Sequence, residues 1–216
     1  MRALCFDFDG TLARFQGNFE ELVEGFAFEL GLDASDYAPF TKALSTNLRQ
    51  SGVSSLHTVV PETLLQLQLP VPKDLDTFIK KARKSYKNQM ALLPGSAKVL
   101  ELVANVPKAI ITNGPSDMQR DAIETLGIGS LFDAIIISGD PDVAVRKPDP
   151  RIFKLACERL RVLPQDVLMI GDNYKADISG ASAVGMQTLY LGTTETSSAS
   201  ATTIEDAYDL LAKWIN

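Results

Sequence analysis

Two carboxylates stand close together near the start of the chain, in the run Asp7-Phe8-Asp9-Gly10-Thr11. They end a short apolar segment, and side chains two positions apart on a strand point to the same face. Gly10 then permits a sharp turn that leaves both carboxylates at the edge of a sheet. Because burying two like charges together is unfavourable without a cation, the pair indicates a cation-dependent site. A solvated corner between strand and loop is the alternative, since Asp-Gly turns are common.

Two further polar segments also follow apolar runs. Thr112-Asn113-Gly114 precedes a helix start at Pro115-Ser116, where a hydroxyl and free backbone N–H groups can hold phosphate oxygens. Simple helix capping would give the same pattern. The other segment places Lys147 before Pro148, and a helix is predicted to begin near Pro150. A single lysine in such a loop is normally solvated, so neither segment alone predicts a site.

A second acidic segment lies near the end of the chain, in Gly171-Asp172-Asn173, with Asp177 five residues beyond Asp172. Carboxylates in this position suit a hard cation with oxygen ligands, such as Mg²⁺. They could equally be acidic residues that favour the N-terminus of a helix through its macrodipole.

The elements that would position these residues are short apolar runs separated by helical patterns. Each run lacks clean alternation, which is typical of strands covered on both faces. Strands that alternate with helices predict an α/β fold with a doubly wound parallel sheet. All four polar segments follow a predicted strand, at the carboxyl ends where such sheets place their ligand crevice. The predicted strands are 3–8, 109–112, 134–138, 167–170 and 188–191.

Residues 15–88 interrupt this alternation, because they contain helical patterns at 19–30 and 75–86 but no convincing strand. We therefore predict an α/β core formed by residues 1–14 and 89–216, with an all-helical insertion at 15–88. Residues 193–203 are nearly all Ser, Thr and Ala and are predicted to form an exposed connection. An amphipathic helix is predicted at 204–215, with Thr202 and Glu205 spaced as a capping box.

Composition places the chain among ordinary globular proteins, with 45% hydrophobic and 22% charged residues in 216. The net charge of -6 would repel nucleic acid and anionic membrane surfaces, so neither is an expected partner. No signal peptide or run of 18 apolar residues is evident, and a cytoplasmic location is expected. Cys5 and Cys157 lack the spacing of metal ligands and are predicted to be buried apolar side chains.

In order and spacing, the four polar segments resemble the motifs of the haloacid dehalogenase-like hydrolases, and the helical insertion is similar to that superfamily's cap domain. The resemblance implies a Rossmann-like core with an inserted cap, and a Mg²⁺-dependent phosphatase that acts on a small soluble phosphate ester. It implies that Asp7 is the nucleophile that forms an aspartyl-phosphate. It also implies that Asp9 first protonates the leaving alkoxide and then activates water.

The same resemblance implies how metal and phosphate are held. Mg²⁺ would be bound by Asp7, by the backbone carbonyl of Asp9 and by Asp172, and Asp177 would steady these ligands. The groups implied to hold the phosphoryl oxygens are the side chains of Thr112 and Lys147 and backbone N–H groups near Gly10, Asn113 and Gly114.

Three other functions fit parts of the pattern. The dehalogenases of this superfamily share the first aspartate but lack the second, because cleavage of a carbon–halogen bond needs no protonated leaving group. Asp9 therefore favours phosphate chemistry. Residues 48–56 are similar to a cap segment of β-phosphoglucomutases, although a small polar loop between helices would look the same. A non-enzymatic phosphate- or partner-binding relative is the third, and the intact motifs argue against it. The sequence leaves open the oligomeric state and whether the ester is phosphoglycolate, a sugar phosphate or a nucleotide.

Overall fold

The computed structural model describes residues 2–50, 52–193 and 200–215. The strands in these ranges are β1 (Ala3–Phe6), β2 (Ala13–Phe15), β3 (Met90–Leu92), β4 (Lys108–Thr112), β5 (Ala134–Ile137), β6 (Val167–Gly171), β7 (Gln187–Leu191) and β8 (Ser200–Ala201). The α-helices are α1 (Phe19–Glu29), α2 (Tyr37–Asn47), α3 (Leu56–Gln66), α4 (Leu75–Lys87), α5 (Ser96–Leu102), α6 (Ser116–Thr125), α7 (Pro150–Leu160), α8 (Gly180–Ser182) and α9 (Ala207–Ile215). A π-helical segment, Tyr174–Ser179, precedes α8, and 3₁₀ turns occupy Ala34–Asp36, Gly129–Leu131 and Pro164–Asp166.

Six strands form one parallel sheet in the order β5-β4-β1-β6-β7-β8. Cys5 on β1 lies opposite Ala109 on β4 and Met169 on β6, so β1 is a central strand. The chain runs outward from β1 through β4 and β5, then returns to the other side of β1 as β6. This reversal places a topological switch point at the carboxyl end of β1, where open α/β sheets bind ligands. The predicted α/β fold with a parallel sheet is confirmed.

Both faces of the sheet are covered, as the continuous apolar runs predict. On one face Cys5 packs in a buried cluster with Phe153 and Cys157 of α7. On the other face Phe6 belongs to a larger cluster that includes Met118 of α6 and Leu211 of α9. Both cysteines are free and buried, as predicted. Packing of helices on both faces fixes the strands, and the strands position the loops at their carboxyl ends.

Helices α1 to α4 are inserted between β2 and β3, which pair as an antiparallel ribbon with Arg14 opposite Ala91. The side chain of Asn18 caps α1 by accepting hydrogen bonds from the N–H groups of Glu20 and Glu21. The ribbon was not predicted, because strands of three residues are too short to show a period. The boundaries proposed for the insertion, 14/15 and 88/89, lie at this ribbon and stay a proposal.

The C-terminal prediction needs two corrections. Residues 193–203 were predicted to be an exposed connection, but residues 200 and 201 form β8, which pairs with β7. Residues 194–199 lie outside the described ranges. The reciprocal cap before α9 joins Thr203 and Asp206 rather than Thr202 and Glu205. Both pairs have the same spacing, and the Glu205 carboxylate instead lies 3.6 Å from Lys98 of α5. No helix in the described ranges combines the length and apolar character needed to cross a lipid bilayer.

Candidate active site

Asp7 is the first residue after β1, and its N–H donates to the carbonyl of Ile170 on β6 at 2.9 Å. Its carboxylate is 9% exposed and accepts hydrogen bonds from Lys147 Nζ and, at 3.3 Å, from Thr11 Oγ1. The strand predicted at 3–8 ends earlier, because the chain turns at Phe8, whose carbonyl accepts the N–H of Leu12. Both aspartates therefore lie in the loop after the strand.

Asp172 and Asp177 approach Asp7 from the other side of the switch point. Asp172 follows β6, and Asp177 lies in the π-helical segment that comes next. One carboxylate oxygen of each of the three residues lies within 4.8 Å of the others. Gly10 has a φ of +86°, and a Cβ there would overlap the Asp172 carboxylate. Only glycine lets the first loop approach the acidic residues this closely.

Lys147 joins the acidic residues from the loop after β5. Its Nζ contacts Asp7, lies 2.7 Å from Asp177 Oδ1 and donates to the carbonyl of Ile111 at 2.7 Å. The Asn113 side chain fixes this loop, since it accepts from the Lys147 N–H at 2.9 Å and donates to the Lys147 carbonyl at 3.0 Å. Burial lowers the pKa of Lys147, but Asp7 and Asp177 raise it more, so the net shift is upward and the amine is an ammonium.

The acidic cluster has more negative charge than Lys147 balances. Burial, together with repulsion from Asp7 and Asp177, raises the pKa of Asp172 to about 7. Burial also raises the pKa of Asp177 to about 6, against the opposing effect of Lys147. Three carboxylates facing one ammonium favour a further cation, and an all-oxygen donor set suits Mg²⁺. The residues present therefore fit the implied metal.

Asp9 has a different environment from the acidic cluster. Its carboxylate accepts a hydrogen bond from Gln119 Nε2 at 2.7 Å. Burial raises its pKa to about 6; the bond from Gln119 lowers it and the neighbouring charge of Asp7 raises it. A carboxyl group with a pKa near neutrality can both donate and accept a proton during a reaction.

Thr112 is the last residue of β4, and Gly114 lies two residues further along the chain. The Thr112 hydroxyl is buried and accepts a hydrogen bond from Gln119 Nε2 at 2.7 Å. The N–H of Gly114 donates to Ser138 Oγ at 3.0 Å, and the N–H of Gly10 donates to the carbonyl of Ala13 at 2.7 Å. A phosphate bound at Gly114 would have to replace Ser138 as the acceptor.

The structure brings the predicted site residues together in two adjoining cavities. The smaller, of about 170 Å³, is lined by Asp7, Asp9, Thr112, Asn113, Lys147, Asp172 and Asp177, with Asn173 and Ala176. The larger, of about 470 Å³, shares Asp9 and Asn113 with it and also contacts Gly114. Asp9 thus lies where the two cavities meet.

Sequence reasoning missed Gln119 and Tyr86. Gln119 lies on α6, is 3% exposed and donates to both Asp9 and Thr112. The Tyr86 hydroxyl, from α4 of the insertion, donates to Gln119 Oε1 at 3.3 Å. Neither residue belongs to a recognisable motif, and glutamines on helices are usually exposed. Gln119 lies in the first turn of α6, seven residues after Thr112 at the end of β4, and this spacing is too weak a signal to identify a site residue.

The fold and the site define an α/β protein with three clustered carboxylates and a buried lysine at the switch point of a parallel sheet. A family model described as haloacid dehalogenase-like hydrolase matches residues 1–185, and the chain belongs to this family. The resemblance seen in the sequence is therefore confirmed over most of the chain.

Curated relatives and a solved structure agree with the family. The phosphoserine phosphatase of Thermus thermophilus is 36% identical over 83 residues, and the match spans only 38% of this chain and 32% of that relative. The pyrimidine 5'-nucleotidase YjjG of Escherichia coli is 31% identical over 203 residues, and this match spans 87% of this chain and 84% of the nucleotidase. The crystal structure of a HAD phosphatase from Thermococcus onnurineus superposes with a TM-score of 0.72 at 23% identity and covers 98% of both chains, which shows a shared fold.

Proposed function

We propose that the protein is a Mg²⁺-dependent phosphoric monoester hydrolase that acts on a small soluble phosphate ester through an aspartyl-phosphate on Asp7. The observation that carries the proposal is the pairing of two carboxylates with different surroundings. Asp7 contacts a buried lysine, whereas Asp9 has a pKa near 6 and lies beside Asp7 in the same cavity. Relatives named as a phosphatase and a nucleotidase support this chemistry.

In the first half-reaction an Asp7 carboxylate oxygen attacks phosphorus, and the bond between phosphorus and the ester oxygen breaks. Asp9 donates its proton to that oxygen, so the leaving group departs as a neutral alcohol. The Lys147 ammonium and the Thr112 hydroxyl line the same cavity and would stabilise the charge on the remaining phosphoryl oxygens.

In the second half-reaction Asp9, now a carboxylate, takes a proton from water as the water attacks the phosphorus of the aspartyl-phosphate. The bond between Asp7 and phosphorus then breaks, which releases phosphate and restores both side chains. The hydrogen bond from Gln119 would keep Asp9 oriented in both half-reactions.

Asp7, the backbone carbonyl of Asp9 and Asp172 are the groups we propose to bind Mg²⁺. The bound ion would supply positive charge to the phosphoryl oxygens and to Asp7. Asp177 would hold the neighbouring site residues in position without binding the ion itself. It accepts a hydrogen bond from the N–H of Asn173 at 3.0 Å and contacts Lys147.

Residues 15–88 would act as a cap over this site in the proposed function, since Arg49 and Tyr86 of the insertion line the larger cavity beside Asp9. A phosphomutase would use the same first half-reaction but pass the phosphoryl group to a second hydroxyl while water is excluded. The segment 48–56 that suggests this alternative includes Ser51, which lies outside the described residues.

Release of inorganic phosphate from a panel of small phosphate esters, including p-nitrophenyl phosphate, would test the proposal. We expect turnover in the presence of Mg²⁺ and its loss after chelation with EDTA. Turnover that survives chelation would contradict the metal dependence. A lack of turnover with every ester would contradict the phosphatase and favour a mutase or a binding protein.

The Asp7→Asn variant tests the nucleophile, because an amide oxygen cannot form the acyl-phosphate. We expect kcat to fall roughly a thousandfold or more while the fold stays intact. The matched control is Asp33→Asn, which changes an exposed aspartate outside the cavities and should retain full turnover. Substantial hydrolysis by Asp7→Asn would exclude Asp7 as the nucleophile.

A further inference from the structure

Three arginines line the larger cavity beside Asp9 and have no role in the chemistry described above. Arg14 lies on β2, Arg49 follows α2, and Arg146 immediately precedes Lys147. They come from three separate stretches of the chain and converge on one volume of about 470 Å³. The charged residues that line this cavity are therefore these three arginines and one aspartate, Asp9.

These arginines lack carboxylate partners within the described part of the chain. No aspartate or glutamate there lies within 4.0 Å of Arg14, Arg49 or Arg146. Arg2 and Arg161, which lie outside the cavity lining, also lack such a partner in the described ranges, and the other four arginines are paired. The paired residues are Arg83, Arg120, Arg151 and Arg159, each with an aspartate. A guanidinium is the side chain best suited to bind carboxylate or phosphate by two hydrogen bonds.

Arg146 is the most constrained of the three. It is partly buried, and its Nη1 has only weak contacts with the carbonyls of Leu48 at 3.4 Å and Gln50 at 3.5 Å. Burial lowers its pKa, and the like charge of Arg49 lowers it further. Two neighbouring cations in a partly desolvated cavity repel each other, and an anion bound between them would relieve this repulsion.

We propose that the larger cavity binds a second anionic group, a carboxylate or another phosphate, on the leaving group of the phosphate ester. The inference rests on the proposed function and names its substrate class. Asp9 lines both cavities and would protonate the leaving oxygen, so the larger cavity is the place for the group that departs. Phe15, Phe19 and Tyr86 line it as well and would contact the carbon skeleton of that group.

Matched esters in which a hydroxyl group takes the place of the second anionic group test the inference. One pair is 3-phosphoglycerate and glycerol 3-phosphate, and the other is 1,3-propanediol bisphosphate and 3-hydroxypropyl phosphate. We expect kcat/KM to be roughly tenfold or more higher for the anionic member of at least one pair, as expected for hydrogen bonds between charged groups. The pair with the larger ratio identifies the anion as carboxylate or phosphate.

The variants Arg14→Gln, Arg49→Gln and Arg146→Gln should each reduce this ratio, because each removes a cation from the cavity. Arg161→Gln is the matched control, since Arg161 is exposed and lies outside the cavity lining, and the ratio should not change. Three separate single variants keep the test valid if one of them fails to fold.

Equal kcat/KM within both pairs would overturn the inference and leave the phosphatase intact. A ratio that persists in all three cavity variants would also overturn it, since the preference would then arise elsewhere. A lack of phosphate release from every ester, including p-nitrophenyl phosphate, would instead overturn the proposed function, so the two failures can be told apart.

Discussion

At the scale of single residues, Gln119 connects the proposed acid to the proposed phosphate-binding hydroxyl. Its Nε2 donates to Asp9 Oδ2 and to Thr112 Oγ1, both at 2.7 Å, and its Oε1 accepts from Tyr86. Because this amide is 3% exposed, water cannot readily replace it as a donor. Gln119 therefore sets the orientation of the Asp9 carboxyl through direct contact and acts as a positioning residue.

The Gln119→Leu variant should affect esters according to their leaving groups. Loss of a hydrogen bond to a carboxylate costs about 1.5–3 kcal/mol, so kcat/KM for an alkyl phosphate should fall roughly tenfold to a hundredfold. The fall should be much smaller for p-nitrophenyl phosphate, whose leaving group needs little protonation. Steady-state kinetics with both esters would measure the difference.

The matched control for this prediction is Gln165→Leu, which changes an exposed glutamine outside the site. It should leave both kcat/KM values at the wild-type level. If Gln119→Leu reduced kcat/KM equally for both esters, the hydrogen bond to Asp9 would have no special role in protonating the leaving group. Loss of the hydrogen bond to Thr112, or a disturbed fold, would then account for the lower kcat/KM.

At the scale of elements, the contact between α4 and α6 holds the insertion against the core. Arg83 on α4 donates to both carboxylate oxygens of Asp121 on α6, at 2.8 and 2.6 Å. One helical turn further along α4, Tyr86 donates to Gln119. The ion pair therefore positions the end of α4 that reaches the site.

Substitution of Arg83 by Gln should lower the free energy of unfolding by about 1–2 kcal/mol. The pair is bidentate, but the Arg83 side chain is 30% exposed, so the effect is smaller than for a fully buried pair. Urea denaturation would measure the change, and a double-mutant cycle with Asp121→Asn would isolate the pair.

The exposed pair of Arg151 and Asp149 provides the comparison for that experiment. Arg151→Gln should leave the unfolding midpoint unchanged, because surface ion pairs contribute little. A zero coupling energy between Arg83 and Asp121 would show that packing of α4 on α6, rather than the ion pair, holds the insertion in place.

At the scale of the whole molecule, the acidic cluster links stability to pH and to Mg²⁺. The pKa values of Asp172 and Asp177 are raised to about 7 and about 6, so the folded metal-free protein binds protons that the unfolded chain releases. Their contribution to stability is fully present below the unfolded pKa of roughly 4 and is lost as the pH rises through 6 to 7. Without metal, stability from these groups is lower at pH 8 than at pH 5.

Because Mg²⁺ competes with these protons, it should stabilise the protein more at pH 8 than at pH 5. With Mg²⁺ at a hundred times its Kd, the free energy of unfolding should rise by about 2.7 kcal/mol at pH 8. Thermal unfolding with Mg²⁺ and with EDTA at the two pH values would measure the effect. The same stabilisation at both pH values would argue that the cation binds away from these carboxylates.

Much of the fold and of the candidate site could be predicted from local patterns in the sequence. Continuous apolar runs predicted the five long strands of the sheet, because a strand buried on both faces has no polar side. The residues after those strands predicted the site, since the carboxyl ends of parallel strands meet at one edge. Asp7, Thr112 and Asp172 were identifiable as candidates because each lies at the end of such a run or directly after the strand that it forms.

Other features required the packing of distant segments. The ribbon of β2 and β3 joins residues that are more than 70 positions apart, and Gln119 reaches Asp9 across 110 positions. The convergence of Arg14, Arg49 and Arg146 likewise depends on how the insertion lies on the core. Periodicity reports which face of an element is buried, but partners across a cavity are fixed by the packing of whole elements, so these contacts have no local signature.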